Sequence, residues 1–193
     1  MEKFKLVRPT IEYKEQALEY MNEHYEYKSA IHGVGGLNRY LEDFDGWLEK
    51  LERYRNSKIT QEIVPAETFF LVRENDNKVI GMIDIRLALN EKLRKSGGHI
   101  GYSIRPTERR KGYNKINLYL ALLECQKHGL NKVMLTCNKD NLGSAKTIQS
   151  FDAELEREFY DDEVYHCIEQ VYWIDVDSAI ENKKNEFEKY IAN

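Results

Sequence analysis

Hydrophobic spacing along the chain switches between a period of two and a period near three and a half, and each switch marks an element. Residues 4–8 predict a short first strand, ended by Pro9. Thr10 then caps a helix with Ile11, Leu18, Met21 and Tyr25 on one side. Leu37, Leu41, Phe44, Leu48 and Leu51 recur every three or four residues and predict a second helix to about Arg55. Residues 68–74 and 78–87 read as two strands around the turn Asn75-Asp76-Asn77. In the second of these, Ile83, Ile85 and Leu87 share one face while Met82, Asp84 and Arg86 share the other. Such a strand covers a core with one face and borders a cleft or solvent with the other.

After a link over residues 89–96, residues 99–104 alternate and are rich in Ile and Tyr, a strand stopped by Arg105-Pro106. Gly112 opens a helix to about His128, with Gly129 at the C-terminal cap position. Its apolar arc, Ile116, Leu118, Leu120, Leu122 and Leu123, is broad enough to be buried against a sheet. Residues 133–137 are a continuous apolar strand, and residues 144–150 a short helix. Residues 153–160 and 165–176 pair around Asp161-Asp162, and Asp177 caps a last helix carrying Ile180, Phe187 and Ile191. The order predicts a mixed α/β (α+β) fold with one mostly antiparallel sheet and helices on both faces. Residues 1–176 form the domain, and 177–193 a helix appended to it.

Composition narrows the function. The 193 residues suffice for one domain with a core. A net charge of −4 argues against a general nucleic-acid binder. No apolar run is long enough to span a bilayer and the N-terminus is not signal-like, so no membrane partner and a cytoplasmic location are expected. Cys125, Cys137 and Cys167 are widely spaced, with no metal-binding pattern, and read as reduced thiols.

The chemistry concentrates in GGHIGYSIRPTERRKGYN, residues 97–114. A strand feeding a basic, glycine-containing turn at a helix start is an anion site. Backbone N–H groups there have no intrahelical partner, and the helix dipole adds positive charge. Arg109, Arg110 and Lys111 with the N–H groups of Gly112, Tyr113 and Asn114 supply both donors and charge. The alternative is a solvated charge run. A second glycine segment, His32-Gly33-Val34-Gly35-Gly36, follows a helix rather than a strand, so it reads as a flexible connector before a phosphate loop.

The stretch resembles the acyl-CoA signature of the GNAT acetyltransferase superfamily: Gln or Arg, two residues, Gly, one residue, then Gly or Ala. Arg109, Gly112 and Asn114 occupy those places, with Asn114 in the position of Gly or Ala. The resemblance runs from about Phe4 to Asp175 and implies a splay between the strand at 99–104 and the one at 133–137, with a slot for pantetheine. It implies acetyl-CoA as co-substrate, held along Tyr102, Ser103 and Ile104 by strand-like pairing. It puts an oxyanion donor at or next to Ile104. Asn141 and Ser144 look like the Asn-x-x-Ser segment lining the cofactor's lower arm, and also read as an Asx turn. The tyrosine that many relatives carry seven residues after that Asn, as acid to the thiolate, is Ile148 here. In the superfamily the region between the first two strands commonly covers the acceptor site, which gives residues 32–36 a gating role.

An amine acceptor must lose a proton before attack. His99 is the first candidate base, by its ordinary pKa near 6.5, with Asp84 and Glu67 behind it. A structural role for His99, and an Asp84–Arg86 pair, are the competing readings. Tyr160, Tyr165, Tyr172 and Trp173 could wall the acceptor pocket or simply pack. The expected function is acetyl transfer from acetyl-CoA to a primary amine of a small molecule, without metal, in a monomer or homodimer. The alternatives are a non-catalytic acyl-CoA-binding module and a phosphate-binding interaction domain.

Overall fold

The structure, a computed structural model, describes residues 1–162 and 166–192. A four-stranded antiparallel sheet has the order β1 (Phe4–Val7), β2 (Ala66–Arg73), β3 (Lys78–Arg86), β4 (Ile100–Ile104). A three-stranded antiparallel sheet has the order β5 (Lys132–Asn138), β7 (Cys167–Asp175), β6 (Glu154–Asp161). One mostly antiparallel sheet was expected, splayed between the strands at 99–104 and 133–137; among the described residues no ladder joins β4 to β5. They meet instead at one vertex, where His99 N–H donates to the Met134 carbonyl at 2.7 Å.

Helices cover both faces. On one side lie α1 (Lys14–Glu26) and α2 (Phe44–Arg55), whose Ala17, Tyr20, Met21, Phe44, Trp47 and Leu51 pack on Phe70, Val72, Val79 and Met82. On the other, α4 (Tyr113–Lys127) lies against Leu71, Ile80, Ile83 and Ile104. It buries nine of its residues, as its apolar arc requires. Gly112 and Gly129 bound α4 with φ of 83° and 74°, left-handed values that glycine adopts without strain. Two short helices, α3 (Glu91–Lys95) and α5 (Leu142–Gln149), flank the vertex and follow β5. A last helix, α6 (Val176–Phe187), docks on α4 through Phe187, which meets Tyr119 and Phe151 at 5.3 and 5.6 Å between ring centroids.

Five local expectations change. The predicted second helix is broken: residues 37–39 make a single 3-10 turn, and α2 starts at Phe44, capped by Asp43, whose Oδ1 accepts from Gly46 N–H. The buried stripe of α1 is Ala17, Tyr20, Met21 and His24, while Ile11 and Tyr25 stand about half exposed. Thr10 opens a 3-10 turn and bonds the Glu12 side chain rather than a helix N–H. The cap of α6 is Asp175, accepting from Ser178 N–H; Asp177 takes a bond from Gln126 instead. The linker before β4 holds α3, which its short length hid. The predicted strand start at Tyr165 lies outside the described residues.

Candidate active site

Ladder parity decides what β4 offers. Arg86 N–H donates to His99 O and Arg105 N–H to Ile80 O, so in the antiparallel β3–β4 pair residues 101 and 103 also face β3. The N–H and C=O groups of Tyr102 and Ile104 therefore point to the unpaired edge, beside the gap between the sheets. Ser103 does not: its N–H faces Met82, and its hydroxyl accepts from Tyr20 OH at 2.9 Å and donates to His32 O at 2.6 Å.

Past β4, the chain makes a 3-10 turn at Pro106–Glu108 and then two left-handed residues, Arg110 (φ 65°) and Gly112 (φ 83°), at the start of α4. No side chain caps the first N–H groups of α4, and a Cβ built on Gly112 meets nothing within 4 Å. The cradle is open and no described residue uses its donors, which fits a bound diphosphate. The three basic side chains are not equivalent. Arg109 is pinned to Ile104 O at 2.9 Å and Ser29 Oγ at 2.6 Å. Lys111 is paired with Glu108 at 2.8 Å. Arg110 is exposed and makes no hydrogen bond to a described residue.

Glu108 is a residue that sequence reasoning passed over. Burial works to raise its carboxyl pKa, but hydrogen bonds from Lys111, Lys78 and Arg73 hold it at about 2. It anchors the turn to β2 and β3. Its signal was the lone acid inside the basic run. Arg105 does the same toward α1: its Nε donates to Val79 O, and its guanidinium pairs with Glu23 at 3.1 Å. Glu23 also accepts from Thr107 N–H at 2.7 Å.

Across the gap, Tyr102 OH and Ser144 Oγ lie 2.9 Å apart, a hydrogen bond between β4 and α5. Burial raises the Tyr102 phenol well above its ordinary range, so it keeps its proton. Asn141 caps α5, its Oδ1 accepting from Ser144 N–H at 3.1 Å. Asn114 reaches Thr147 Oγ1 with its amide nitrogen at 3.4 Å, while its Oδ1 is buried with no partner among the described residues. Ile148 is fully buried in the core beside α4.

On the opposite face, residues 31–36 are packed rather than loose. A Cβ at Gly33 (φ 66°) would lie 2.3 Å from Gly101 O. The Gly35 carbonyl accepts from Trp47 Nε1 and from Lys50 Nζ at 2.7 Å. Together with β2, β3, α2 and α3 the segment borders a half-open cavity of about 500 Å³.

The three candidate bases stand in three different surroundings. Asp84 lines the cavity; its Oδ1 accepts from Thr68 Oγ1 at 2.8 Å and its Oδ2 lies 3.3 Å from Arg86. His99 sits at the vertex, 6% exposed, with Nδ1 accepting from Met134 N–H at 2.9 Å. Burial, with Arg94 and Arg86 nearby, pushes its pKa down to about 4. Glu67 faces away from Asp84, one residue out of register, and is held by Arg8 at 3.0 Å and Arg55 at 3.6 Å. Neither His99 nor Glu67 lines the cavity. Nor do Tyr160, Tyr172 or Trp173 on β6 and β7; Tyr165 lies outside the described residues. Among the described residues no cluster of ligands could hold a metal, and no helix is long and apolar enough to cross a membrane.

Residues 35–152 match the model of the acetyltransferase (GNAT) family. No curated protein matches the chain in sequence. Solved structures share the fold at low identity. The microcin C7 self immunity acetyltransferase MccE, in complex with acetyl-CoA and AMP, has a TM-score of 0.67 at 17% identity, over 89% of this chain and 91% of that one. RimJ of Mycobacterium smegmatis, in complex with CoA-disulfide, has a TM-score of 0.72 at 13% identity, over 95% and 88%. Mutant forms of the spermidine/spermine N-acetyltransferase SpeG of Vibrio cholerae have a TM-score of 0.64 at 12% identity, over 93% and 99%.

Proposed function

The chain belongs to the GNAT acetyltransferase family, and on that premise we propose that it transfers the acetyl group of acetyl-CoA to a primary amine of a small molecule. Acetyl-CoA, the co-substrate of the family, supplies an activated thioester that the amine attacks directly. The observation that carries the reading is the open left-handed cradle at Arg110 and Gly112, set beside the unpaired edge of β4. Arg110 and the N–H groups of Gly112, Tyr113 and Asn114 hold the diphosphate. Arg109 positions the turn from Ile104 O rather than offering a free charge. The outward N–H groups of Tyr102 and Ile104 bind the arm, and one of them donates to the oxyanion. Asn141 and Ser144 border the arm from α5, with Ser144 Oγ its polar contact.

Asp84 takes the ammonium proton. It is the one candidate carboxylate on the cavity wall, and Thr68 and Arg86 fix its orientation. His99 is a poor base at a pKa of about 4, and Glu67 is engaged by two arginines away from the cavity. Residues 1–176 carry this chemistry, with α6 docked on α4 as an appended support. Three free cysteines agree with a reducing, cytoplasmic setting.

A second reading has two observations in its favour. Ile148, buried in the core, brings no hydroxyl to the thiolate, and Tyr102 holds its own proton tightly. On that reading the protein binds acyl-CoA without turnover. A single experiment addresses both. Acetyl-CoA should raise the melting temperature of the native protein, and an amine panel should release free thiol. Gly112→Asp should remove the stabilisation, because its side chain enters empty ligand space rather than protein. Stabilisation without thiol release supports the second reading; unchanged CoA affinity in Gly112→Asp refutes the cradle.

A further inference from the structure

Resting on the reading of the cavity as the acceptor site, we infer that the acceptor carries an anionic group, carboxylate or phosphate, beside its amine. The cavity wall holds four cations, Arg39, Lys50, Arg86 and Lys92, against two carboxylates, Asp84 and Glu62. This excess sits in a chain whose net charge is −4. It is a local arrangement, not a reflection of composition.

The cations divide by what already holds them. Arg86 pairs with Asp84 at 3.3 Å and donates to the carbonyls of Gly97 and Gly98. Lys50 donates to Gly35 O at 2.7 Å, and burial lowers its pKa while Asp84 works to keep it charged. Arg39, closing the turn at residues 37–39, and Lys92, on α3, are exposed, and their side chains make no hydrogen bond or ion pair to a described residue. Two unengaged cations from separate elements border one cavity whose inner carboxylate is Asp84. An amine seated at Asp84 leaves them facing the rest of the molecule. A polyamine or a plain alkylamine puts more positive charge, or none, against that wall. An amine joined to an anion satisfies both ends, and like-charge rejection excludes polycations. The volume, about 500 Å³, suits a small metabolite-sized acceptor.

The test uses matched pairs that differ only in the anion: leucine and leucinamide, O-phosphoethanolamine and ethanolamine, with spermidine as the polycation. The anionic member of at least one pair should show kcat/KM about tenfold or more above its partner, the scale of a charge-assisted hydrogen bond. Which pair responds separates carboxylate from phosphate. In the Arg39→Gln, Lys92→Gln double variant that advantage should vanish through KM. Preference for spermidine or for the neutral members overturns the inference, as does an advantage that survives the double variant. If acetyl-CoA fails to stabilise the protein, or no amine releases thiol, the acetyltransferase reading fails instead. Charge recognition is then decided by thermal stabilisation with the anionic amines alone. Stabilisation lost in the double variant sustains it, and no stabilisation, or an equal one, overturns it.

Discussion

Replacing Gly33 by alanine puts a Cβ 2.3 Å from Gly101 O and 2.5 Å from Tyr102 Cα, both backbone atoms that cannot rotate away. The residue also sits at φ 66°, where a non-glycine residue costs about 1–2 kcal/mol. Relieving the overlap by a backbone shift adds about 1–3 kcal/mol, the range for overpacking. A total near 3 kcal/mol lowers the melting temperature of a domain this size by about 6–12 °C. Gly36→Ala is the internal control. Its φ of 80° carries the same left-handed penalty, but its Cβ meets only the Lys50 ammonium, at 2.9 Å, on a flexible chain. A penalty near 1.5 kcal/mol should lower its melting temperature by about 3–6 °C. The difference between the two melts measures the contact between residues 31–36 and β4. Gly33→Ala should also depress kcat/KM for the amine, since the segment that moves lines the cavity. If the two variants melt together and both keep full kcat/KM, the loop does not rest on β4 and the cavity described here is not the acceptor site.

Three further outcomes are expected. His99 is buried in its neutral form, so its stabilising contribution is complete above its ordinary pKa of 6.5 and is lost as pH falls from there toward about 4. That interval is worth about 3 kcal/mol; urea midpoints at pH 7.5 and 5 should diverge in the native protein, and diverge less in His99→Gln. Asn114→Ala removes an oxygen buried without a partner among the described residues, so the ligand-free protein should gain about 1 kcal/mol, while acetyl-CoA affinity by calorimetry stays unchanged because the backbone N–H is kept. A loss of about tenfold or more would show that the amide itself touches the cofactor. Glu108→Gln leaves Arg73, Lys78 and Lys111 without their shared carboxylate and should cost about 2–3 kcal/mol by denaturant melt. The native protein should lose that margin as pH falls from the usual Glu range toward about 2; a variant as stable as the native chain would mean the turn is held by other contacts.

Elements whose boundaries are chemical were legible in the sequence. Gly112 and Gly129 bracket α4 because left-handed backbone at both ends selects glycine, and the apolar arc between them has one interpretation. The expected helix from Leu37 to Arg55 failed for the opposite reason. Periodic leucines do not register a capping aspartate at position 43, and a broken segment keeps the same rhythm. The division into two sheets was not in any local pattern, since pairing partners are set by the long-range vertex at His99 and Met134. The candidate bases show the same limit. Thr68 stands opposite Asp84 and Glu67 opposite Ile85, so one step of register separates a cavity wall from an ion-pair cluster, and register is not readable from either strand alone. The charges on Arg109, Arg110 and Lys111 were visible, but their partners at Ile104, Ser29 and Glu108 come from tertiary structure.

The vertex between the two sheets also works as a floor. From His99 to Ile104 the edge strand advances five residues, about 16 Å at 3.3 Å per residue, and the backbone bond to Met134 closes its far end. An acyl chain that outruns the edge left between Tyr102 and the vertex, about 10 Å, must turn toward residues 31–36, where a Cβ on Gly33 would already lie 2.3 Å from Gly101 O. Comparing turnover of acetyl-CoA and decanoyl-CoA reads this directly, and equal rates would rule it out. On the proposed cofactor path, chain-length discrimination rests on main chain meeting main chain, so enlarging a single side-chain pocket would not widen the range of acyl donors.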